Sequence, residues 1–248
     1  MNDKWIFGVL VFFSLMYIFG TFTFNEDIVI FVQMSIVGAL IITTSLIVVL
    51  FFHLKRIKAD RDDSKSYLFL SISMASYAVA EILWGYFDVL GYETYPSIAD
   101  ISYSIYYLTG ILFCVSFFWK RQSFILFKTK VIGVLSSVLF FSVYIFLSLE
   151  NVDMKVFLVG STEMMLSSIL AGSAIITIIC ISCTPKLRLV WVFFSIGYIS
   201  NSIADIFYYS GQNRNYFEYT DWVNIVWFIS ILIFFYGAFI HNYLYRKT

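Results

Sequence analysis

Glu81, Glu163 and Asp205 stand inside long apolar runs of this chain, with no lysine or arginine at comparable depth. A charge in such a setting is costly, which makes each acid a candidate functional residue. Something must neutralise them: a proton, a metal ion, an organic cation, or hydrogen bonds from Tyr, Asn, Gln and Ser. Burial favours the neutral carboxyl, and a neighbouring carboxylate favours it further. A small cationic ligand is the sharper alternative, because Tyr and Trp faces beside acids suit an amine or quaternary ammonium through cation–π attraction. Spacing supplies such neighbours. Tyr77, Glu81, Trp84 and Asp88 follow i, i+4, i+7, i+11 and share one helix face, and Tyr198, Asn201, Asp205 and Tyr208 form a similar one. Around Glu163, the residues Gly160, Ser167, Ala171 and Ala174 are small enough for close helix contact.

Another acid, Asp100, opens the apolar run within "YPSIADISYSIYY". Ser97 is placed to cap a helix, and Asp100, three residues later, to reach back to the cap's N–H. The helix dipole also favours a negative charge there. Asp100, Tyr103 and Tyr107 share a face, as do Asp221, Asn224 and Phe228 further on. Asp100 and Asp221 therefore read first as helix-opening acids, and an inward-pointing cap would also close a site from outside.

Other chemistries lack their residues. No H-E-x-x-H, G-x-S-x-G or P-loop pattern occurs. Cys180 and Cys183 form a C-x-x-C without His or further Cys beside it, a poor zinc site, and Cys114 reads as packing. His53 and His241 fall near helix ends, and no lysine lies inside the last two apolar runs to hold a Schiff-base chromophore. No catalytic residue, metal site or cofactor is expected, and an enzyme is the least favoured class.

The elements that must position these acids follow from composition. The 248 residues are 60% hydrophobic and only 13% charged, with a mean hydropathy of +0.85. A soluble domain carries about 25% charged residues, and a membrane-crossing helix needs about 20 mostly apolar ones. Eight apolar runs meet that need, at about 5–24, 28–54, 67–91, 99–119, 131–149, 156–183, 189–210 and 222–245. Neither proline, Pro96 or Pro185, lies within a run. The first run lacks a small-residue cleavage site and reads as a helix, not a signal peptide. The expected fold is an all-α integral membrane protein, an eight-helix bundle forming a single transmembrane domain over 1–248.

Net charge is zero, yet fourteen of the sixteen basic residues fall on one side of this arrangement, leaving Lys155 and Arg214 on the other. The positive-inside rule then places the chain in the cell membrane as a multi-pass protein with N- and C-termini cytoplasmic. Its partner is the lipid bilayer. Nucleic acid is disfavoured, because aspartates interrupt the basic stretch "KRIKADRDDSK". A faint internal repeat relates 1–130 to 131–248, matching Glu81 with Asp205 and Asp100 with Asp221. Four helices per half would make the halves parallel repeats.

"YPSIADISY" and the later "SIADIFYYSG" with "YTDWVNIVWF" resemble the multi-helix membrane sensor region that precedes GGDEF diguanylate cyclases and some histidine kinases. The matching residues are Pro96, Ser97, Ala99, Asp100 and Tyr103, then Ala204, Asp205, Tyr208 and Asp221. The resemblance implies an integral-membrane input module. Only "RKT" follows the eighth run, so the expectation is a stand-alone sensory or accessory module acting through a separate cytoplasmic or membrane signalling partner. It would carry an outward-facing acidic and aromatic pocket for a small ligand, cation or proton. The alternatives are a transporter or channel for a cation or amine, and a structural subunit of a membrane complex.

Overall fold

The computed structural model describes residues 64–92, 95–119, 126–149, 153–181, 188–213 and 222–246. The apolar runs at 5–24 and 28–54, with Gln33 and His53, lie outside the described residues, as do Asp221 and Cys183. Among the described residues there are six α-helices and no strand. They are α1 (Ser64–Val89), α2 (Ala99–Trp119), α3 (Phe127–Ser148), α4 (Met154–Ile181), α5 (Arg188–Asn213) and α6 (Trp222–Arg246). Four stretches, Leu68–Asp88, Phe127–Ser148, Met154–Cys180 and Leu189–Asn213, are long and apolar enough to cross a membrane. Trp222–Ala238 is a shorter apolar segment.

Local chemistry sets several helix ends. Gly91, at φ +70°, closes α1: its N–H donates to the Asp88 carbonyl at 2.9 Å, and Tyr92 N–H donates to the Phe87 carbonyl at 3.0 Å. This is a Schellman stop, for which a residue without a β-carbon is favoured. Tyr92 packs edge-on to Phe87 and covers the turn. At the start of α2, Ser97 N–H donates to Asp100 Oδ2 at 2.6 Å while Ser97 Oγ accepts from Ala99 N–H at 3.2 Å. Asp153 Oδ1 accepts from Lys155 N–H at 2.8 Å and Val156 N–H at 3.4 Å, so a carboxylate serves the free donors that open α4.

The helices pack as α2 against α1 and α4, α4 also against α3 and α5, and α5 also against α3 and α6. The packing is inverted relative to a water-soluble bundle. On α2, Ile101, Ile105, Leu108 and Leu112 are exposed at i, i+4, i+7 and i+11, while Tyr106 and Tyr107 are buried and Tyr103 and Ser104 half-buried. On α3, Val134, Leu135, Val138 and Leu139 are all more than half exposed. Ser167, Asn201, Ser202 and Asp205 are buried instead. Apolar outside and polar inside is the pattern of a bundle whose surrounding solvent is lipid.

One half of the core is aromatic. Tyr77 stacks on Tyr106 at 4.8 Å, Phe113 lies flat against Trp191 at 4.6 Å, and Tyr198 meets Phe234 edge-on at 4.8 Å. Such pairs contribute about 0.5–1.5 kcal/mol each beyond their buried area. Ser73 Oγ donates to the Tyr106 carbonyl at 2.9 Å and lies 3.0 Å from the Tyr198 hydroxyl, tying α1, α2 and α5 together.

Candidate functional site

Asp205, on α5 and 2% exposed, is enclosed by donors from four helices. Its Oδ2 accepts from Ser167 Oγ on α4 at 2.6 Å, from Tyr107 OH on α2 at 3.0 Å and from Asn201 Nδ2 at 3.2 Å. Its Oδ1 accepts from Trp227 Nε1 on α6 at 3.1 Å and again from Asn201 Nδ2 at 3.3 Å. Ser230 Oγ donates to the Trp227 carbonyl at 2.7 Å and lies 3.4 Å from Asn201 Oδ1. Hydrogen bonds to a charged group contribute about 1.5–3 kcal/mol each, against a desolvation cost of several kcal/mol for a buried ion. Four donors are enough to hold a carboxylate here without a counter-cation.

Glu81, on α1, is half-buried. It accepts from Tyr103 OH on α2 at 2.9 Å and has Tyr77 as a second hydrogen-bond partner. Tyr77 is itself wedged between the rings of Tyr103 and Tyr106. Trp84 and Asp88, both half-buried, follow on the same helix toward its C-terminal end. Asp88 stands about 10 Å along the axis from Glu81, at 1.5 Å per residue.

Glu163, on α4, is 3% exposed, and its Oε1 takes a hydrogen bond from Ser104 Oγ on α2 at 2.5 Å. Its Oε2 is buried and, among the described residues, has no hydrogen-bond partner. About two turns toward the N-terminus of α4, Tyr95 OH donates to the Val156 carbonyl at 3.2 Å and Tyr144 OH to the Phe157 carbonyl at 3.4 Å. Both hydroxyls crowd Gly160, where a β-carbon would come within 2.9 Å of Tyr95 OH and 2.8 Å of Tyr144 OH. Tyr208, 7% exposed, packs on Tyr95, Tyr209 and Trp227.

The acids do not share one cage. Among the described residues, no three of His, Cys, Asp and Glu gather as a metal-holding group. They are joined electrostatically instead: Glu163 feels the charges of Asp100 and Asp205, and Glu81 that of Asp205. They are joined mechanically through α2. Tyr103, Ser104 and Tyr107, within little more than one turn, donate to Glu81 on α1, Glu163 on α4 and Asp205 on α5. Tyr209 extends the chain by a hydrogen bond to the Tyr107 hydroxyl.

Asn201 and Tyr77 thus meet the acids with which their spacing grouped them, whereas Tyr208 packs on Trp227, a donor to Asp205. Asp100 caps α2 and is 8% exposed. The sequence reading missed Ser104, Trp227 and Tyr209 as partners, and took Ser167 only as a small packing residue. Tyr107 was grouped with Asp100 by face, whereas its hydroxyl serves Asp205. The cue for α2 is the density of hydroxyls in "SYSIYY", five of six residues, soon after the cap. No family model, curated protein or solved structure matches this chain.

Proposed function

We propose that this chain is a membrane-embedded sensory or accessory module whose carboxylate–hydroxyl network binds a proton or small cation and passes the change to helix packing. The observation that carries this reading is the convergence of three acids, from three helices, on adjacent hydroxyls of α2. A change of charge on any one alters the hydrogen bond it offers α2, and α2 packs on both α1 and α4. Such a helix is a suitable element for converting local electrostatics into a shift of packing. The resemblance of "YPSIADISY" to membrane sensor regions supports the sensory part, with the response delivered to a separate signalling partner.

The test is hydrogen–deuterium exchange of residues 95–110 in lipid nanodiscs, across pH and with sodium, potassium or tetramethylammonium. Protection of α2 should change several-fold with at least one of these. The triple substitution Glu81→Gln, Glu163→Gln, Asp205→Asn should abolish the response. Invariant protection across the whole set would reject the reading, and cation flux in proteoliposomes would replace it with transport.

A further inference from the structure

The buried acids differ in what surrounds them, and the difference assigns their protonation. Asp205 is met by side-chain donors from Tyr107, Ser167, Asn201 and Trp227, distributed over both oxygens. Two of these, Asn201 Nδ2 and Trp227 Nε1, can only donate, one amide and one indole N–H fixed toward the acid, and so complement a negative charge. Among the described residues, Glu163 has one donor, Ser104, on one oxygen and nothing on the other. An ionised carboxylate shares its charge over both oxygens. Leaving one buried and bare forfeits hydrogen bonds worth about 1.5–3 kcal/mol each to a charged group. A neutral carboxylic acid loses far less, since its bare oxygen is uncharged. The 2.5 Å contact with Ser104 suits either form, because an acid O–H donating to the hydroxyl is as short as a hydroxyl donating to a carboxylate. The bare oxygen decides between them.

We infer that the network's ligand is a proton, that it resides on the Glu163 carboxyl, and that Asp205 carries the negative charge. This rests on the module reading above and names its ligand. The groups facing Glu163 agree with the assignment. Asp100 and Tyr107 approach from α2, Asp205 and Tyr209 from α5, and Tyr95 from the segment before α2. None of these is cationic, so among the described residues no neighbour favours a second negative charge at Glu163. Two electrostatically coupled carboxyls with opposed surroundings are the arrangement that separates one proton carrier from one fixed anion.

Infrared difference spectroscopy of the protein in nanodiscs, between mildly acidic and alkaline pH, tests the assignment. The wild type should show a protonated-carboxyl band that shifts in deuterated water and fades on alkalinisation. Labelling glutamate carboxyls with carbon-13 should move the band, without any substitution. Glu163→Gln should remove it, while Glu81→Gln and Asp205→Asn keep it. Ser104→Ala should keep the band at a shifted frequency, and this variant decides if Glu163→Gln does not fold. Absence of the band from the wild type overturns the inference. So does its persistence in folded Glu163→Gln, its loss in Glu81→Gln or Asp205→Asn, a band indifferent to glutamate labelling, or an unshifted Ser104→Ala spectrum. Those outcomes leave the exchange response of α2 standing, whereas failure of the module reading appears as loss of that response with the band intact.

Discussion

At the scale of single residues, the buried acids were legible because a charge inside an apolar run is conspicuous. Their partners were not. Ser104 lies 59 positions from Glu163, and Trp227 lies 22 from Asp205. Serine and tryptophan are ordinary in membrane helices, so neither residue type signals a hydrogen bond to an acid. The contrast between the two acids has a measurable consequence. Asp205→Asn places amide hydrogens among groups that themselves donate, and should cost about 1–3 kcal/mol in reversible SDS unfolding. Glu163→Gln, isosteric with a neutral acid, should cost at most about 1 kcal/mol, and equal losses would contradict the donor inventory. Trp227→Phe keeps the ring packing on Tyr208 but deletes one donor to Asp205. A loss of about 1–2 kcal/mol is expected in the same assay.

At the scale of elements, apolar length and capping chemistry made the six described helices legible to within a few residues. The inward polar face of α2 was harder to read. Its exposed stripe is as apolar as that of its neighbours, and only tertiary placement shows that its hydroxyls face three other helices. The α3–α4 seam was likewise hidden, since glycines in a run say nothing of their partners. Gly172 and Gly133 bring these two backbones together: a β-carbon on Gly172 would strike the Gly133 carbonyl and Ser137 Oγ. Backbone cannot swing aside, so Gly172→Ala should destabilise the fold by about 1–3 kcal/mol in SDS unfolding. Gly160→Ala should cost less, because the atoms it meets are hydroxyls at the ends of long tyrosine side chains.

At the scale of the whole molecule, the asymmetry of basic residues makes a directional prediction. Leu126 and Met154 are exposed, at opposite ends of the α3–α4 pair. In a background lacking native cysteines, Met154→Cys should react with an impermeant maleimide on intact cells. Leu126→Cys should react only after permeabilisation, and the reverse pattern would invert the orientation. Within that frame, α2 is a rigid part supplying hydroxyls to acids on α1, α4 and α5 at once. The genetic consequence is epistasis between positions that never touch. Losing any one of Glu81, Glu163 or Asp205 frees α2 to settle into the partners that remain, so a second loss should be felt less than additively. Double-mutant cycles between Glu81 and Glu163, which neither touch nor share an electrostatic link, would then report coupling inherited from the helix they share.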